Sequence, residues 1–243
     1  MGIYLIMKNI YINPLFYIFS FILLVTGFFK PFLFMIIYLL IHEFGHILIG
    51  YVLGFKVIKI NIYPCGLLTI FNMKINDSIF KDFLIALSGP LFQILGYFLI
   101  KKYYSIHLFL LVFNLLPIYP LDGSKIFSDL LYIIFPYKVC NDILFFVSYV
   151  ICIFILCFFI YNFNLIYILI FIVLLFKILE FYNNRKFIFN SFVMERILYN
   201  FKFLFFKKIK NINNMYKGSY HFIFYNGNYI DEDTYLNNLY KKT

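Results

Sequence analysis

The chain has 243 residues, of which 64% are hydrophobic, 24% aromatic and only 13% charged. Soluble domains are about 45–50% apolar and about a quarter charged, so the composition excludes an ordinary water-soluble globule and indicates a polytopic membrane protein. The net charge of +10 would raise nucleic acid as a partner of a soluble protein; here it reads as basic loops against an anionic leaflet, so the expected partner is the lipid bilayer and not nucleic acid.

The N-terminus does not read as a signal peptide, since only Lys8 precedes the apolar run and no A-x-A cleavage site follows it. Ile6 stands where a myristoylation site needs Ser or Thr. Six spanning segments are expected, each helical because lipid offers the backbone no hydrogen-bond partner. The first runs from about Tyr11 to Phe29, and Lys30-Pro31 divides it from the second, about Phe32 to Leu53, which Gly54 ends. Phe55 to Lys74 has a different texture. Lys56, Lys59 and Asn61 interleave with Val57, Ile58, Ile60 and Ile62 as in a strand, Pro64-Cys65-Gly66 makes a turn, and Leu67 to Met73 reads as a second strand. A hairpin dipping into a membrane must be buried in protein or line a wet cavity, and its open edge could pair with an extended substrate.

The third span covers about Phe80 to Ile100 and contains Ser88-Gly89-Pro90, with Gln93 one turn on; this reads as a packing kink between close helices. The fourth begins near Ile106 and runs to Leu116. Within Asn114-Leu115-Leu116-Pro117-Ile118-Tyr119-Pro120-Leu121-Asp122-Gly123 two prolines break the helix, which is expected to resume at Ser124 and reach about Phe135. Broken helices at membrane depth are where ligand groups are placed, and Asp122 is the stretch's only carboxylate. It could also serve as a helix N-cap. The fifth span covers about Ile143 to Ile160 and the sixth about Leu165 to Phe181.

The fold class is therefore all-α polytopic: six transmembrane helices, a small membrane-dipping β-hairpin and a short cytoplasmic α+β tail. Residues 1–181 form the membrane domain and 182–243 a basic tail, in which Asn226-Gly227 marks a hairpin over Tyr220 to Ile230 and Asp231 can cap a closing helix. Lys8, Lys56, Lys59, Lys74, Lys81, Lys125 and Lys138 fall on the side of the termini, against Lys30, Lys101 and Lys102 on the other, so both termini are expected in the cytoplasm. The cysteines Cys65, Cys140, Cys152 and Cys157 form no C-x-x-C pair and read as apolar thiols.

The chemistry centres on His42-Glu43-Phe44-Gly45-His46, an H-E-x-x-H motif inside the second span. Residues i and i+4 lie on one helical face, so both imidazoles can reach one metal ion, with Glu43 beside them as general base for a water. Ionisable groups at this depth are costly and point to function. His42 and His46 lie about 11 and 15 residues into their span and Asp122 about 16 into its own. At ~1.5 Å per residue these depths are comparable, so Asp122 can complete a three-ligand site, and one zinc ion fits such a His/His/Asp set. Asn114 could position the substrate backbone or brace the break.

These motifs, with Ala-Leu-Ser-Gly-Pro at 86–90, the Pro-Cys-Gly loop and the segment Phe181 to Tyr199 including Glu195-Arg196, resemble the site-2 protease family of intramembrane zinc metalloproteases, and within it the sporulation enzymes of spore-forming bacteria. The resemblance implies zinc on His42, His46 and Asp122, with Glu43 as base. It implies as substrate a sigma-factor precursor cleaved at the membrane, inhibitory membrane proteins as partners, and a place in the outer forespore membrane facing the mother cell. Such proteins usually end in a CBS domain; the tail here is short and holds at most a truncated CBS-like element. There are two rival readings, of which only the second uses the same ligands. A prenyl-protein-type membrane zincin would need a third-ligand glutamate, for which Glu180 and Glu195 lie at or beyond the last span. A transporter or metal-permeation protein would need further polar residues along a path, which spans one, five and six do not offer.

Overall fold

The computed structural model describes residues 10–240, apart from 13, 26, 28, 64–65, 162–164 and 200. The chain forms two units, one of residues 1–73 and 83–116, the other of 74–82 and 117–243.

The first unit opens with a strand, β1 (Ile10–Ile12), followed by helix α1 (Pro14–Val25). The expected first span, Tyr11 to Phe29, is thus shortened, because Ile10–Ile12 pair in parallel with β2 (Val57–Tyr63) instead of joining the helix. β2 turns back into β3 (Gly66–Phe71), as the alternation predicted, and the sheet order is β1-β2-β3, which leaves β3 at an edge. Cys65 lies outside the described residues.

Helix α2 (Phe29–Val52) takes in Lys30 and Pro31, expected to separate two spans. Pro31 sits in its first turn, where a missing N–H breaks no helical hydrogen bond. At the other end Gly54 has φ +89°, the left-handed conformation that stops a helix and that glycine adopts without strain. Tyr38, His42, Gly45, His46 and Gly50 are buried along one side of α2, while Leu40 and Phe44 are exposed. The polar side points in and the apolar side out, as expected when the solvent is lipid.

Helix α3 (Ile79–Ile100) carries Pro90 in its interior and buries Ala86, Gly89, Gln93 and Gly96. The glycines bring α2 and α3 together. A Cβ at Gly45 would lie 2.7 Å from the Ser88 carbonyl oxygen, and one at Gly96 would lie 2.8 Å from Cγ2 of Ile41. Helix α4 (Tyr104–Leu115) packs Leu110 against Tyr38 and Leu39, and the hydroxyl of Tyr38 donates to the Lys102 carbonyl.

In the second unit the break falls where the two prolines predicted it, and helix α5 (Asp122–Ile134) starts two residues earlier than expected. Leu121 occupies the N-cap position and no side chain caps the helix, so the alternative reading of Asp122 as N-cap is not what forms. Helix α6 (Tyr137–Tyr161) is followed by α7 (Leu165–Leu198), which runs well past Phe181. At 34 residues α7 spans about 51 Å, against about 30 Å of hydrocarbon, so it extends beyond a bilayer core. Its distal end packs with β4 (Phe205–Ile209), β5 (Ser219–Tyr225), β6 (Asn228–Asp231) and α8 (Glu232–Tyr240) around Phe192, Val193, Met215, Ile223 and Leu236. The β5–β6 hairpin turns at Asn226 (φ 48°) and Gly227 (φ 87°), the left-handed pair that Asn-Gly favours.

Among the described residues, three helical stretches are long and apolar enough to cross a membrane, Phe29–Val52, Ile79–Ile100 and Tyr137–Cys157, with Tyr104–Leu115 a shorter apolar helix. The protein is thus mostly helical, with apolar spans and a small strand-containing tail.

Candidate metal centre

α2 stacks His42 over His46 at i, i+4, and both are buried, at 2% and 5% exposure. Their Nε2 atoms lie 3.1 Å apart. His42 Nδ1 is 3.0 Å from Oε1 of Gln93, and His46 Nδ1 is 2.6 Å from the Ile85 carbonyl oxygen. Both of those oxygens can only accept, so each Nδ1 carries the hydrogen and donates it. The lone-pair atom of each ring is then Nε2, and the two converge on one point.

The neighbours that impose this tautomer come from α3. Gln93 is fully buried, and its Nε2 donates to the His107 carbonyl at 3.2 Å, which fixes the carboxamide with Oε1 toward His42. The Ser88 hydroxyl donates to the same Ile85 carbonyl at 2.6 Å. Gly89 leaves the space in front of the rings open, since a Cβ there would collide with the Nε2 atoms of His46 and His42. Two oriented, deprotonated imidazole nitrogens facing a space only glycine leaves open fit a divalent zinc-type ion. The hydrogen-bonded Nδ1 atoms are the outer-shell support that such ligands ordinarily have.

Glu43 follows His42 on α2 and is half-buried. Thr69, on the edge strand β3, donates its hydroxyl to Oε2 of Glu43 at 2.8 Å. The first unit therefore brings His42, Glu43 and His46 together, with the edge of the small sheet beside the carboxylate. Asn114 lies half-buried in the last turn of α4. Asp122 belongs to the second unit, as the first residue of α5, where its side chain is 13% exposed and lies 3.7 Å from Lys125 Nζ.

Sequence reasoning missed Gln93 and Thr69. In the sequence Gln93 reads as part of a packing kink, although a buried carboxamide in an apolar span is costly unless something needs its hydrogen bonds. Thr69 interrupts an otherwise apolar strand, a weak signal by itself.

No family model matches the chain. Over 136 residues it is 29% identical to stage IV sporulation protein FB of Bacillus subtilis (strain 168), a match covering 50% of this chain and 47% of that protein. The chain thus spans about half the length of this curated relative. The site-2 protease from Methanocaldococcus jannaschii has a similar fold, with a TM-score of 0.55 at 22% identity over 70% of this chain and 89% of that one. The chain is thus similar in sequence to a sporulation protein and in fold to a site-2 protease. In this chain the H-E-x-x-H helix α2 meets the small sheet through the Thr69–Glu43 hydrogen bond and meets α3 through Gly45 and Gly96.

Proposed function

We propose that the chain is an intramembrane zinc metalloendopeptidase that cleaves a membrane-associated protein precursor. The observation that carries this reading is the pair of buried imidazoles with Nε2 atoms 3.1 Å apart and each Nδ1 committed to an acceptor, beside a carboxylate held by Thr69. His42 and His46 would hold the zinc. Asp122 is the third ligand, supported by its place as the only carboxylate in the broken stretch 114–123 and by its matching depth in the sequence. When bound, zinc supplies Lewis acidity, lowering the pKa of a water toward ~7 and polarising the scissile carbonyl.

Glu43 is the general base. It accepts the proton of the attacking water and passes it to the leaving amine nitrogen, so no net proton is consumed as the peptide bond opens. The Thr69 hydrogen bond to Oε2 orients the carboxylate. The substrate unwinds and adds as a strand to the β3 edge, which places its peptide bonds beside Glu43. Asn114 hydrogen-bonds the substrate backbone.

The wider reading has six spans with both termini in the cytoplasm, in line with the lysine distribution. The substrate is a sigma-factor precursor, the membrane is the outer forespore membrane, and inhibitory membrane proteins bind the enzyme. The likeness to a sporulation protein supports this part. The test is co-expression with a membrane-tethered pro-sigma precursor, comparing wild type with Glu43→Gln and measuring both product and bound zinc. Glu43→Gln is expected to retain about one zinc per chain and to lose cleavage by about 10²–10⁴-fold. Cleavage surviving in Glu43→Gln would overturn the mechanism.

A further inference from the structure

The C-terminal part of the second unit carries a surface that the proposed chemistry does not use. Beyond α7 the chain reads Phe201-Lys202-Phe203-Leu204-Phe205-Phe206-Lys207-Lys208-Ile209-Lys210. Leu204, Phe205 and Phe206 are 89%, 68% and 65% exposed. Three consecutive large apolar side chains in the open are unusual in water. Beside them opens a cavity of about 540 Å³ lined by Lys207, Lys208, Lys210, Asn214 and Tyr216, with Pro136 at its margin. No carboxylate lines it. Lys207 Nζ lies 3.4 Å above the Tyr216 ring and Lys208 Nζ 5.4 Å from the Tyr229 ring, so the ammonium groups rest on aromatic faces.

The position of this surface within its unit limits what can cover it. Pro136 immediately precedes α6, and the N–H of Tyr137, the first residue of α6, donates to the Met215 carbonyl at 2.8 Å. Gly218 packs toward Ile79 at the start of α3. Both helices are long and apolar enough to cross a bilayer, so the tail is fastened to the ends of two spans. Lysines on an edge strand such as β4 also discourage strand addition, but Leu204, Phe205 and Phe206 at the entry to that strand would undo such protection in water.

We propose that this exposed edge of the tail sheet, where side chains from both faces of β4 emerge, docks on the anionic leaflet of the membrane that holds the helices. Leu204, Phe205 and Phe206 enter the boundary between headgroups and acyl chains, and Lys207, Lys208 and Lys210 take the lipid phosphates, the division of labour of an interfacial anchor. The proposal requires membrane insertion of α3 and α6 and does not depend on the proteolytic reading.

The chain contains no tryptophan, so Leu204→Trp creates a single reporter. The full-length variant is reconstituted in vesicles of zwitterionic lipid, or of the same lipid with anionic phosphatidylglycerol, each carrying acyl chains brominated at graded depths. Quenching by shallow bromines is expected only with the anionic lipid. Replacing Lys207, Lys208 and Lys210 together by Gln is expected to lower the docked-to-undocked ratio on the order of a hundredfold, at about fivefold per lysine. Lys186→Gln, which removes an exposed charge outside this edge, is expected to leave it unchanged. Equal quenching in both lipids, no quenching in either, or an undiminished signal in the triple variant would each overturn the proposal.

Discussion

At the scale of single residues, the site depends on which nitrogen of each histidine carries hydrogen. Gln93 decides this for His42, because its carboxamide is itself oriented by the His107 carbonyl and presents Oε1 to Nδ1. Outer-shell partners of this kind ordinarily contribute 10–100-fold to metal affinity. Gln93→Leu, close in size, is expected to weaken zinc binding by about that factor, measured by competition with a chromophoric chelator in detergent. Gln93→Glu keeps an acceptor at the same place and is expected to retain more affinity than Leu. Equal affinity in the Leu variant would show that the hydrogen bond does not orient the ligand.

At the scale of elements, the α2–α3 contact holds the histidines against their Nδ1 partners. It is made through glycines: the position of a Cβ at Gly45 is already taken by the Ser88 carbonyl and Phe92. Without a hydrophobic drive between helices in lipid, close backbone approach is what remains to hold them together. Gly45→Leu must push α3 away from α2, and with it Gln93 and the Ile85 carbonyl. The expected cost is about 1–3 kcal/mol of stability from overpacking, with loss of bound zinc. Leu40→Phe, on the exposed side of the same helix, is expected to change neither. Thermal unfolding in detergent together with metal analysis separates the two outcomes.

At the scale of the whole molecule, the end of α7 is tied to the tail by a buried polar network. Arg196 donates to Glu232 at 2.9 and 3.1 Å, to the Ser219 and Tyr216 carbonyls, and through Nε to Asn76. His221, fully buried, accepts the Tyr216 N–H at Nε2 and donates from Nδ1 to Glu232 at 2.7 Å. Burial, with the charges of Arg196 and Lys207, holds the His221 imidazole below its ordinary 6.5, despite the opposing pull of Glu232. Burial alone would push the Glu232 carboxyl up, but the His221 hydrogen bond and Arg196 hold it below the usual carboxylate range. A folded-state pKa depressed in this way means that the unfolded chain binds the proton more readily. The His221 contribution to stability is thus complete above about 6.5 and declines as pH falls below it, and that of Glu232 is lost only at more acid pH. Hydrogen-exchange protection of β5, corrected for intrinsic rate, is expected to fall between about pH 7 and pH 5. His221→Asn should flatten that decline; a pH-independent wild type would show that the imidazole does not titrate there.

The sequence by itself determined the membrane class, the metal motif, the break at Pro117 and Pro120, the strand pairs of both hairpins and the Asn226-Gly227 turn of the second. Each follows from local rules: apolar run length, i, i+4 spacing, proline's missing donor and the left-handed preference of Asn-Gly. Only the tertiary structure decided the rest. Ile10–Ile12 became strand because β2 offered it a partner, and Lys30-Pro31 joined α2 because a first turn tolerates proline. α7 ran on past Phe181 because its distal part packs against the tail. Gln93 and Thr69 acquired their contacts with His42 and Glu43 across 51 and 26 residues, distances over which no periodicity carries information. Hydrogen bonds between elements distant in sequence depend on how close the backbones come, and for Gln93 the glycines Gly45 and Gly89 set that approach.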